Sequence, residues 1–114
     1  AALHTLDLSE CGSLMDVSAL AGCARLHTLD LGYTYVADVS ALAGCAALHT
    51  LLLKDSEVTD LSALSGCSAL NTLDVSHCVD VTDISALANC AALQTLKLSY
   101  CRGVTDVSAL AGCA

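Results

Sequence analysis

The sequence predicts a repeat protein of the α/β class, in which short strands alternate with short helical turns. Leucines recur at a fixed interval along the whole chain, and a strand-like period of two alternates with a helical spacing of three. The 114 residues fit one domain, and 55% of them are apolar although Phe, Trp and Pro are absent. A core built from Leu, Val, Ala and Cys favours many thin, identical layers over one irregular core.

Each repeat opens with a strand pattern. Two leucines lie three residues apart, and a further apolar residue follows the second after one intervening position. This L-x-L step has a period of two and predicts a short strand with one buried face. The second leucine column comprises Leu6, Leu29, Leu51, Leu73 and Leu96. The five predicted units of 22 to 23 residues lie at about 2–24, 25–46, 47–68, 69–91 and 92–114.

The second part of each unit predicts a tight helical turn. Apolar residues spaced by three indicate one or two turns of the 3₁₀ type. An aspartate before each turn is expected to cap it by accepting bonds from exposed N–H groups, with a calcium ladder as the alternative. Gly or Asn at positions 22, 44, 66, 89 and 112 is typical of a helix C-terminus. The aspartate column comprises Asp16, Asp38, Asp60, Asp83 and Asp106.

The pattern L-x-x-L-x-L-x-x-N/C recurs in register in every unit and resembles the leucine-rich repeat family over the whole chain. The stretch VTDVSALAG is similar to the 22-residue subclass of bacterial internalins and phosphatase-regulatory proteins. This chain has Cys where those proteins usually have Asn, a feature similar to ubiquitin-ligase adaptors, whose repeats are longer. The resemblance implies a right-handed solenoid with a parallel sheet on the concave side and short 3₁₀ or helical turns on the convex side.

The eight cysteines form columns and lack the close pairs of a zinc knuckle. The resemblance implies that the strand-exit column faces inward and bonds the turn; a disulfide between Cys78 and Cys101 is the alternative. The other column is interpreted as small apolar side chains packed between layers, with metal binding as the alternative. The strand-exit column comprises Cys11, Thr34, Ser56, Cys78 and Cys101. The second column comprises Cys23, Cys45, Cys67, Cys90 and Cys113.

Histidines occupy one further column. His4, His27 and His49 are followed in it by Asn71 and Gln94, so a neutral polar side chain suffices and a structural surface role is expected. A zinc site across the histidines is the alternative, but its ligands would converge poorly. Protonation of these histidines at about pH 6 is expected to lower the stability of the first three repeats.

Charge and motifs exclude several functions. The formal net charge is −8, and the four basic residues stand alone, which disfavours nucleic acid and anionic lipid as partners. No apolar stretch is long enough for a membrane helix. No convergent nucleophile, base and orienting group or glycine-rich phosphate loop is visible. We therefore expect no enzyme and assign no catalytic, cofactor-binding or metal-binding residue.

Function is expected where the repeats differ on the outer side of the sheet. The middle strand column comprises Asp7, Asp30, Leu52, Asp74 and Lys97, and the post-strand column comprises Glu10, Tyr33, Asp55, His77 and Tyr100. Tyr and exposed Leu anchor interfaces, which predicts a non-catalytic protein-interaction scaffold; ordinary drift between repeats is the alternative. The predicted protein-binding residues are Tyr33, Leu52, Lys54, Asp74, His77, Lys97 and Tyr100.

The ends of the sequence raise a second hypothesis for function, a structural or self-assembling repeat array that associates end to end and has no specific ligand. No repeat with a polar outer face is visible at either end, which leaves three interpretations: a fragment of a longer array, a designed or consensus-like chain, or head-to-tail self-association. The last would use Leu3, Leu6 and Leu8 at one end and Val107 and Leu110 at the other. Unpaired thiols favour an intracellular setting, and the internalin resemblance leaves a cell-surface setting open as the alternative.

Overall fold

The computed structural model describes residues 3–108 and residue 110. Five parallel strands form one sheet in chain order. The strands are β1 (Thr5–Asp7), β2 (Thr28–Asp30), β3 (Thr50–Leu52), β4 (Thr72–Asp74) and β5 (Thr95–Lys97). The 3₁₀ helices between them are η1 (Ser18–Gly22), η2 (Ser40–Gly44), η3 (Ser62–Gly66) and η4 (Ser85–Asn89). This alternation confirms the predicted α/β solenoid and its 3₁₀ turns. The predicted column members at positions 112 and 113 lie outside the described residues.

The strands pair in an identical register along the sheet. Leu51 of β3 aligns with Leu29 on one side and with Leu73 on the other. All three leucines are fully buried, whereas Leu6 and Leu96 in the outer layers are only partly buried. Each layer therefore completes its core with side chains from its neighbours, because a layer this thin cannot bury its own leucines.

The chain leaves every strand through a left-handed backbone turn. Each residue of the post-strand column has a positive φ between 57° and 65°, although none is glycine. The backbone N–H of Tyr33 donates to the carbonyl of Lys54 at 2.8 Å, and that of Asp55 donates to the carbonyl of Ser76 at 2.9 Å. These bonds between repeats hold a conformation that side chains ordinarily disfavour. As a result, the post-strand side chains lie together at one edge of the sheet.

The glycines at the ends of the 3₁₀ helices serve close packing between layers. Among the described residues no glycine has a positive φ, so the left-handed cap typical of glycine is not formed here. A Cβ at Gly44 would lie 3.2 Å from the carbonyl oxygen of Ala21, and one at Gly66 would lie 2.7 Å from that of Ala43. The small residue therefore lets one helix approach the backbone of the preceding helix.

Candidate functional site

The aspartate column lines the start of the 3₁₀ helices. Asp60 Oδ1 accepts a hydrogen bond from the backbone N–H of Ser62 at 2.8 Å, and the other four aspartates make the same bond two residues ahead. Each described helix, however, has an apolar N-cap residue without a side-chain cap bond, such as Leu61 in η3. Each aspartate thus accepts a hydrogen bond from the first N–H of its helix. It does so from the residue before the N-cap, whereas the sequence predicts the aspartate at the N-cap itself.

The same bonds set the charge of this face. The backbone N–H and the hydroxyl of Ser62 lower the pKa of Asp60, while partial desolvation and the nearby Asp83 and Asp38 oppose that effect. The pKa values of Asp16, Asp38, Asp83 and Asp106 are lowered for the same first reason. The column is therefore a row of ionised carboxylates at neutral pH, each held by its own turn.

The strand-exit column joins consecutive repeats through its thiols. Cys78 Sγ donates to the carbonyl of Leu53 at 3.1 Å, and Cys101 Sγ donates to that of Val75 at 2.9 Å. Thr34 instead donates to the carbonyl of Leu31 in its own repeat at 2.8 Å. Cys78 and Cys101 are free thiols, so the alternative disulfide between them is not formed. Cys11, in the first layer, is exposed.

The second cysteine column is buried between the 3₁₀ helices. Cys67 Sγ donates to the carbonyl of Leu42 at 3.5 Å, the oxygen that also accepts the backbone N–H of Cys45 at 2.9 Å. Burial, with the neighbouring Cys45 and Cys90 as lesser causes, raises the pKa of Cys67 to about 11. A thiol held protonated in this way is a poor nucleophile and a poor metal ligand. Cys113 of this column lies outside the described residues.

The histidine column is a stack of parallel rings. The ring centroids of His4 and His27 are 4.7 Å apart and those of His27 and His49 are 4.6 Å apart, with interplanar angles of 7° and 8°. Each Nδ1 lies 3.0 to 3.2 Å from the hydroxyl of the following threonine. Parallel rings direct their nitrogens side by side, so the stack does not converge on one metal ion. In residues 3–108 and 110, no group of three or more His, Cys, Asp or Glu side chains is arranged to hold a metal.

The histidine stack makes stability depend on pH. Partial desolvation, followed by the charges of His4 and His49, lowers the pKa of His27. The unfolded state therefore binds protons more readily than the folded state as the pH falls through about 6.5, and stability decreases. Urea unfolding is expected to show a lower midpoint at about pH 5.5 than at about pH 7.5, a window in which unfolded carboxylates stay largely ionised.

Two asparagine variants separate this effect from general acid sensitivity. His27→Asn copies the residue that occupies the column in the fourth repeat and should reduce the shift in the urea midpoint. His77→Asn, outside the stack, should leave the His27 contribution in place. An unchanged pH dependence in His27→Asn would contradict the assignment to the stack.

The predicted binding residues fall into two aromatic pairs and a strand column. Lys54 Nζ lies 6.0 Å from the ring centroid of Tyr33, a cation–π arrangement across neighbouring repeats. His77 stacks on Tyr100 with centroids 4.6 Å apart and an interplanar angle of 23°. Tyr33 and Tyr100 are 49% and 65% exposed, so one face of each pair remains open to solvent.

The middle strand column changes character along the sheet. Asp74 Oδ1 accepts the backbone N–H of Ser76 at 2.9 Å, and Asp7 and Asp30 make the equivalent bond in their own repeats. Leu52 and Lys97 replace this bonded aspartate in the third and fifth repeats. Leu52 is half-buried and Lys97 is exposed. The sheet surface therefore presents an apolar and a basic side chain within an otherwise acidic column.

One exposed aromatic residue was missed by the sequence analysis as a site residue. Tyr35 is 56% exposed and lies just beyond the strand exit of the second repeat, beside the post-strand column. Its backbone N–H donates to the carbonyl of Leu14 at 3.0 Å, which fixes its loop against the first repeat. The three tyrosines are visible in the sequence, but only the packing of loops from different repeats places Tyr35 near Gly12 and Glu57.

Within the described residues, no helix is long and apolar enough to cross a membrane. The sequence matches no protein-family model and no curated protein.

The stacked strands, the 3₁₀ turns and the leucine columns define this chain as a leucine-rich repeat protein. It is similar to internalin C2 of Listeria monocytogenes, with 34% identity and a TM-score of 0.88 over 97% of this chain and 48% of that one. A second internalin of that organism is 26% identical, with a TM-score of 0.87 over 98% of this chain and 33% of that one. A leucine-rich repeat protein of Leptospira interrogans shares the fold at 18% identity and a TM-score of 0.73, over 85% and 25% of the two chains. The chain thus spans less than half the length of each.

Proposed function

We propose that the chain is a non-catalytic scaffold that binds a protein through the outer side of its sheet and the post-strand edge. The observation that supports the proposal is that the positions that vary between repeats are also exposed to solvent. The core columns repeat with little change. Leu52 and Lys97 break the aspartate column of the strands, Tyr33 and Tyr100 belong to the variable post-strand column, and all four are at least partly exposed. Repeat proteins use such extended surfaces for binding, and aromatic side chains provide much of the energy at interfaces.

The surface chemistry supports a folded or peptide partner that has both apolar and charged groups. The stacking of His77 on Tyr100 restricts both rings, which lowers the entropy that binding must remove. The net charge of −8 favours approach of a basic protein surface. The catalytic alternative has little support, because the described thiols lie in structural columns. Five of them donate hydrogen bonds to backbone carbonyl oxygens.

Affinity capture followed by mass spectrometry tests this proposal. A double variant, Leu52→Asp with Lys97→Asp, restores the aspartate found at this column in the other repeats and should therefore preserve the fold. Ser65→Ala is a matched control, since Ser65 is an exposed residue of η3 and other repeats carry alanine there. A genuine partner should bind the natural chain and Ser65→Ala and should bind the double variant at least about tenfold more weakly.

Purified components then give the decisive comparison. Calorimetry with the captured protein should show the same loss of affinity in the double variant, while circular dichroism shows the fold unchanged. Equal affinity for the double variant and the natural chain would reject this surface as the interface.

A further inference from the structure

A cleft opens at the strand-exit edge of the first three repeats, outside the strand column described above. Its volume is about 230 Å³, and it is open to solvent. The residues that line it are Gly12, Tyr33, Thr34, Tyr35, Asp55 and Glu57. Two tyrosines and two acidic residues thus line one space, and none of the lining residues is basic.

Backbone hydrogen bonds between repeats hold two of the loops that line the cleft. The backbone N–H of Tyr35 donates to the carbonyl of Leu14 at 3.0 Å, and that of Glu57 donates to the carbonyl of Val36 at 3.1 Å. These bonds tie each loop to the preceding repeat. Gly12 also lines the cleft, and a Cβ added there would meet nothing within 4 Å, so the absence of a side chain leaves this part of the cleft open.

The lining has the chemistry of a cation site. Tyr33 and Tyr35 are 49% and 56% exposed, and a positive group over a tyrosine face is attracted by the ring. Lys54 Nζ lies 6.0 Å from the centre of the Tyr33 ring, at the outer limit of a cation–π arrangement. Within the described residues, no side-chain hydrogen bond or ion pair is resolved for Asp55 or Glu57. The carboxylates therefore remain available to a charge from outside.

We propose that this cleft receives an arginine side chain of a partner protein. The inference rests on the proposed function and adds the chemistry of the residue that is recognised. A guanidinium is planar, stacks on an aromatic ring and donates paired hydrogen bonds to a carboxylate, whereas a lysine ammonium offers only a point charge. Charge complementarity with the acidic cleft and the wider acidic surface selects this occupant over an anionic one.

Titration with a small arginine peptide, followed by NMR, tests the proposal without a known partner. The probe is acetyl-Gly-Arg-Gly-amide, and the matched control is the same peptide with citrulline, which has the shape of arginine without its charge. Amide shifts are expected at Gly12, Tyr35 and Glu57, with a dissociation constant on the order of 1 mM. The citrulline peptide should bind at least about tenfold more weakly, and added salt should weaken the arginine peptide.

Variants of the cleft provide the second part of the test. Gly12→Phe should fill the space without strain and abolish the shifts, and Asp55→Asn with Glu57→Gln should remove the charge attraction at nearly constant shape. Asp80→Asn, an exposed acid in a loop of the fourth repeat, is the control and should bind the peptide normally. Unchanged spectra away from the cleft confirm that each variant is folded.

The outcomes separate this inference from the proposed function. Absence of shifts with the arginine peptide, equal shifts with citrulline, or undiminished binding by Gly12→Phe would overturn the arginine site. The Leu52→Asp and Lys97→Asp double variant should still bind the peptide, because neither residue lines the cleft. Loss of a captured partner in that variant, together with retained peptide binding, would therefore support both proposals independently.

Discussion

Replacement of Leu51 by alanine is expected to lower the free energy of unfolding by about 2–5 kcal/mol. Leu51 is fully buried and lies at the centre of the leucine column, between Leu29 and Leu73. Truncation removes apolar contacts with both neighbouring layers and leaves a cavity that the paired strands cannot close. Urea unfolding followed by circular dichroism measures the loss.

The same substitution at the edge of the stack provides the control. Leu6 occupies the same column in β1 but is only partly buried and pairs with β2 on one side. Leu6→Ala should therefore cost clearly less than Leu51→Ala. Equal losses at the two positions would contradict the dependence of each layer on both of its neighbours.

Replacement of Gly66 by alanine is expected to destabilise the chain by about 1–3 kcal/mol, through crowding between layers. The added Cβ would lie 2.7 Å from the carbonyl oxygen of Ala43, a backbone atom that can move only with its helix. Asn89 carries a side chain at the equivalent end of η4, which limits the expected cost to a local shift of the backbone. Thermal and urea unfolding measure the change.

Equivalent glycines give a graded series. A Cβ at Gly44 would lie 3.2 Å from the carbonyl oxygen of Ala21, and one at Gly22 would meet nothing within 4 Å. The losses should therefore fall from Gly66→Ala to Gly44→Ala, with Gly22→Ala within about 0.5 kcal/mol of the natural chain. A uniform loss across the series would contradict crowding between layers as the cause, since helix propensity by itself favours alanine over glycine.

The candidate site was predictable where it depended on residue type and column. Leu52 and Lys97 break an aspartate column, Tyr33 and Tyr100 lie in a column that varies between repeats, and the structure places all four at least partly in contact with solvent. Their role in binding stays a prediction. Tyr35 and Gly12 could not be assigned to one cleft in advance, because their proximity depends on how loops of different repeats bond to each other.

The sequence by itself determined the repeat, the strands, the buried leucines and the 3₁₀ turns. Each of these features follows from the local spacing of apolar residues, and the same spacing recurs in every repeat. Only the tertiary structure decided the left-handed turns at Tyr33 and its equivalents, the packing role of Gly66 and the cleft beside Tyr35. These features arise from hydrogen bonds and contacts between repeats, whose geometry depends on how closely one layer lies on the next.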